Sequence, residues 1–169
     1  MNIAIAFILL VAYTAWLCVW NHRIPDSLSQ TVFFLPRRQS WIWTVTIFLV
    51  VIFMLSPFGL PFGRSIAEKT DGWSSAILFI SYFSLAVVGV TPLSNGDRES
   101  MDYLIHMIAA WLCAIAINVV FILTCPLILF GWSPWVAAFV WISKDEPWRT
   151  AKFWAEMTCF AMAFIYCLI

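Results

Sequence analysis

Charge is what this chain has least of. Asp, Glu, Lys and Arg supply 11% of its 169 residues, against 63% hydrophobic and 18% aromatic, and mean hydropathy is +0.93. Soluble domains carry roughly 25% charged and 45–50% apolar residues, so a water-soluble fold is excluded. The nine basic and nine acidic side chains cancel, which leaves no long-range field to draw nucleic acid. Apolar segments consume nearly the whole length and leave no room for a separate soluble catalytic module. Function then has to lie inside a membrane bundle or in its short loops.

Catalytic signatures are missing as well. There is no G-x-S-x-G, no phosphate-binding loop and no H-E-x-x-H. Ser27, Ser29 and Ser40 have no base nearby in sequence, and His22 and His106 with one aspartate fall short of the converging ligands a hydrolytic metal site needs. No catalytic residue, metal or cofactor is expected. The cysteines, Cys18, Cys113, Cys125, Cys159 and Cys167, show no paired spacing and read as small apolar packing residues. MNIAIAFILLVAYTAWLCVW lacks a basic start and a small-x-small cleavage site, and the bulk of Trp16 argues against a lipoprotein signal; it is expected to be a first span. Repeats, low-complexity tracts and linkers are absent from the sequence.

What is present is a series of apolar runs of about 17–25 residues, the length a bilayer demands. The fold class expected is all-α, one transmembrane bundle over residues 1–169 with six spans at about 3–20, 41–60, 73–93, 102–124, 127–143 and 150–169. Gly131 and Pro134 interrupt the fifth, which is either a kinked helix or a re-entrant segment, the latter leaving five true spans. Arg23, Arg37, Arg38, Arg98, Lys144, Arg149 and Lys152 follow odd-numbered spans, and only Arg64 and Lys69 lie on the opposite side. Seven against two puts the odd loops in the cytoplasm of a bacterial inner membrane and both chain ends outside. Trp20, Trp41, Trp43, Trp73, Trp141 and Trp148 fall near predicted interfaces, as expected of aromatic anchors.

Ionisable groups inside spans are costly, and they are the only candidate chemistry. Asp102 and His106 are four apart on the fourth span, hence on one face, followed by Ala109, Ala110, Cys113, Ala114 and Asn118. Small residues let another helix approach closely, so this strip is expected to point into protein. Either the polar groups form a proton or ion relay, or a neutral His106 packs with Asp102 or with Ser81, Tyr82 or Ser84 of the third span. Glu156, one turn beyond Lys152, is either a local ion pair near the headgroups or a pore-lining carboxylate. The candidate pore or relay residues are therefore Asp102, His106, Asn118 and Glu156.

The loop NHRIPDSLSQTVFFLPRRQS offers capping hydroxyls at Ser27 or Ser29 and an apolar VFFLP expected to lie flat in the interface, with Arg37 and Arg38 at headgroup level. IPDSLSQT here, VVGVTP closing the third span and IHMIAA opening the fourth resemble a pattern of small uncharacterised polytopic proteins of bacteria and bacteriophages. The positions that carry it are Pro25, Ser27, Ser29, Pro92, His106 and Ala109. The resemblance implies a six-helix integral membrane fold and brings no activity with it. Membrane hydrolases related to ceramidases are a poorer match, since the histidines they need are missing.

The expected function is a non-catalytic, oligomeric small channel or pore-forming subunit. An accessory subunit of a larger membrane complex is the alternative, and an intramembrane lipid-modifying enzyme stands third. The expected partners are the lipid bilayer and either further copies of the chain or a membrane-complex partner.

Overall fold

A computed structural model describes residues 2–55, 70–91, 100–134 and 150–168. Among these the chain is all-helical, with five α-helices: α1 (Asn2–Asn21), α2 (Trp41–Leu55), α3 (Gly72–Val90), α4 (Met101–Thr124) and α5 (Ala151–Leu168). Two 3-10 helices, Leu28–Phe34 and Arg37–Gln39, join α1 to α2, and a third, Pro126–Trp132, follows α4. Among the described residues three helices are long and apolar enough to cross a membrane: Ala4–Asn21, Gly72–Val90 and Met101–Thr124. The start of the expected fifth span is 3-10 rather than α-helical, and its remainder, with Trp141 and Trp148, lies outside the described residues.

Local chemistry sets the helix ends. The Ser74 hydroxyl accepts from the amide of Asp71 at 3.0 Å at the start of α3, and the Ser100 hydroxyl accepts from the amide of Tyr103 at 3.2 Å at the start of α4. The Thr14 hydroxyl returns its proton to the Leu10 carbonyl of the preceding turn at 2.9 Å, which satisfies that donor within its own helix. Large apolar side chains on the outer faces, such as Ile8, Phe79, Phe83, Ile108 and Ile115, are exposed. Helices apolar on their outward as well as inward faces suit a lipid surround and would be a liability in water.

The helices form a ring. Neighbours pack in chain order from α1 to α4, and α5 returns to α1, where Phe7 and Phe164 stack at 4.9 Å. Packing of α2 on α3 is close at Gly89, where a Cβ would stand 2.9 Å from Ile47 Cγ2, and the Thr44 hydroxyl donates to the Gly89 carbonyl at 2.8 Å. Close approach at a small residue with a hydrogen bond across it is how helices associate without a hydrophobic drive. By contrast α4 and α5 make little direct backbone contact. They meet at their far ends, where the Tyr166 hydroxyl donates to Thr124 Oγ1 at 2.8 Å and its ring lies 5.4 Å from that of Phe121.

Two expectations are corrected by this packing. Trp43 is no surface anchor: it is 1% exposed, with its indole N–H directed at the Val88 carbonyl at 3.5 Å. Trp20, Trp41 and Trp73 are exposed, as anchors must be. Nor does the loop after α1 lie flat, for Ser27, Leu28, Thr31, Val32 and Leu35 are buried against the bundle. The Thr31 hydroxyl donates to the Leu28 carbonyl at 2.7 Å and sits 3.1 Å from the Tyr13 hydroxyl. The loop thus closes one end of the ring.

Candidate functional site

Where α4 and α5 stand apart, the helices border a half-open cavity of about 270 Å³. Trp43 and Ile47 of α2 and Ser81, Leu85 and Val88 of α3 form one side. The other side is His106, Ala110, Cys113, Ala114 and Ile117 of α4 with Lys152, Glu156, Cys159 and Ala163 of α5. Leu28 and Ser29 of the buried loop stand over one end. From His106 to Ile117, and from Lys152 to Ala163, a helix rises about 16 Å at 1.5 Å per residue. Half of a hydrocarbon core roughly 30 Å thick is about the same distance.

Polar groups gather at one end of this slot. His106 and Lys152 lie near the starts of their helices and Glu156 a turn further along α5, beside a loop that also carries Arg37 and Arg38. The deeper wall is mainly alanine, isoleucine, cysteine and phenylalanine, joined by Tyr82 and by Ser81, which donates to the Cys113 carbonyl at 3.1 Å. The cavity therefore has a polar mouth and an apolar body.

His106 is 1% exposed, and its Nδ1 lies 2.6 Å from the carbonyl oxygen of Thr91 at the end of α3. A carbonyl can only accept, so Nδ1 carries the proton and donates, and in the neutral ring Nε2 is an acceptor. The partner is thus neither Asp102 nor a hydroxyl of Ser81, Tyr82 or Ser84. Asp102 itself is exposed in the first turn of α4, where a carboxylate suits the positive end of the helix dipole.

Glu156 accepts from the backbone amide of Leu28 at 2.5 Å. The expected local ion pair with Lys152 is not formed at contact distance: among the described residues the ion pair within 4.0 Å is Arg23 with Asp26, at 3.7 Å. The Lys152 ammonium rests 4.0 Å from the Met107 sulfur. Asn118 is not a cavity residue. Its Oδ1 accepts from the Trp132 indole at 2.8 Å, and its amide donates to the Ala114 carbonyl at 2.9 Å, fastening the 3-10 helix Pro126–Trp132 across α4.

The four polar residues picked out by sequence are therefore not brought together. His106 and Glu156 share the cavity, Asp102 faces out, and Asn118 is a structural tie. Of the small-residue face, Ala109 is buried, whereas Ala110, Cys113 and Ala114 form cavity wall. Sequence reasoning missed Leu28 and Ser29, because a backbone amide as the partner of a buried carboxylate leaves no signature in residue type. The burial of the DSLS hydroxyls was signalled only by their proximity to an apolar run.

Among the described residues no three His, Cys, Asp or Glu side chains cluster as metal ligands. No protein-family profile, curated protein or solved structure matches the chain.

Proposed function

We propose that the chain is a non-catalytic integral protein of the bacterial inner membrane, a six-span bundle with its Arg-rich side in the cytoplasm, and that it works by holding a small apolar molecule in the cavity between α4 and α5. One observation carries this reading: a half-open cavity of about 270 Å³ with an apolar body and an ionisable mouth. Largely apolar pockets with a few convergent polar groups are the usual form of small-molecule sites.

A photoreactive probe tests it. Tetradecanol bearing a diazirine near its terminal methyl is expected to label α4 and α5 wall residues in native membranes, and labelling there is expected to fall when Ala110→Phe and Ala114→Phe fill the cavity. Unchanged labelling in the filled variant, or labelling confined to lipid-facing positions, would overturn the proposal.

The pore reading draws on the same two side chains, His106 and Glu156, sharing one internal space. It requires ion flux in reconstituted vesicles and a ring-sized assembly in detergent. Monomers without flux favour the binding protein, or an accessory subunit that carries the same cavity.

A further inference from the structure

The cavity's mouth, length and charge together specify more than an apolar occupant. The starts of α4 and α5, the end of α3 and the buried loop lie at one end of the ring, the end that carries Arg23, Arg37 and Arg38. From that end the slot runs about 16 Å along α4 and α5, which is one leaflet of hydrocarbon. A chain lying in it keeps the depth it has in the surrounding lipid, with its head level with the headgroups.

The groups at the mouth are unequally engaged. The Glu156 carboxylate accepts from the Leu28 amide, and His106 has committed its N–H to the Thr91 carbonyl. Lys152, exposed on the first turn of α5, has no carboxylate within 4.0 Å among the described residues. A lysine in this position buries its stem along the wall and presents its ammonium to a headgroup. An anionic head meets a cation there, at the exposed start of α5, with the Glu156 carboxylate one turn further in.

We infer that the cavity receives the hydrocarbon chain of a single-chain amphiphile drawn from the leaflet on the Arg-rich side, with its anionic head seated at Lys152. The inference rests on the binding reading above and adds the ligand's charge, chain number and leaflet. A free fatty carboxylate and a lyso-phospholipid share this chemistry.

The test compares two probes on the full chain in its membrane: tetradecanoic acid and tetradecanol, each bearing the same diazirine. The acid is expected to label the cavity wall several-fold more than the alcohol, Lys152→Gln to bring the two to parity, and Lys152→Arg to restore the preference. Competition by unlabelled tetradecanoate alone would assign a free carboxylate; competition also by a lysophosphatidic acid of the same chain would extend the class to lyso-phospholipids. Equal labelling by acid and alcohol in the wild type, or a preference that survives Lys152→Gln, would sink the inference while leaving the binding reading standing. Failure of both probes to reach the wall defeats the binding reading itself.

Discussion

The backbone amide of Leu28 donates to the carboxylate of Glu156, a contact that closes 128 residues of chain and holds the loop after α1 over the mouth of the cavity. The amide of Phe153 reinforces it by donating to the Asp26 carbonyl at 3.2 Å. Two bonds between one loop and the first turns of α5 make this lid part of the bundle.

If Glu156 holds the lid, removing its acceptor leaves the Leu28 amide unpaired. Glu156→Ala is expected to cost about 1–3 kcal/mol, the penalty for an unsatisfied buried donor. Glu156→Gln keeps an oxygen in reach and is expected to lose less. Thermal unfolding in nanodiscs by intrinsic fluorescence reads the difference, and equal loss in both variants would show that the carboxylate's charge matters rather than its hydrogen bond.

At His106 the substitution that matters is asparagine. The Asn amide nitrogen is as many bonds from the backbone as Nδ1, so His106→Asn is expected to keep the bond to the Thr91 carbonyl and most of the stability. His106→Leu strands that carbonyl and is expected to cost roughly 1–3 kcal/mol. Comparable melting of the two variants would remove the Thr91 bond as the reason for a histidine here.

Neighbouring alanines on α4 are expected to behave oppositely. Ala109 is 6% exposed within the packed core, and Ala109→Leu should destabilise by about 1–3 kcal/mol through overpacking. Ala110 borders the cavity, so Ala110→Leu grows into empty space and should leave the unfolding midpoint near wild type or raise it. A reversed order would place the cavity on the wrong side of α4.

Topology is checked with single cysteines at described positions. Ser40→Cys, next to Arg37 and Arg38, is expected to be shielded from membrane-impermeant thiol reagents added outside intact cells, and Asp71→Cys, at the opposite end of the bundle, is expected to react. Reaction at Ser40→Cys with protection of Asp71→Cys would invert the orientation derived from the basic residues.

The all-helical class and three of the six expected spans were legible in the sequence, because unbroken apolar length is a strong signal. The expected spans 73–93 and 102–124 correspond to helices Gly72–Val90 and Met101–Thr124, the first ending three residues earlier than expected. The candidate site was half legible: His106 and Glu156 stand out because ionisable groups in apolar runs are rare.

What the chain determined by itself was therefore its helical class, the extent of its long apolar helices and the few polar groups they carry, all properties of residue type and local spacing. Tertiary structure decided the rest. Trp43 went inside because Gly89 lets α2 approach α3, and the loop became a lid because Glu156, far along the chain, accepts its amide. His106 turned to a carbonyl at the end of α3. Each outcome depends on a backbone atom or a gap between helices, and neither is written in the identity of the side chains that meet there.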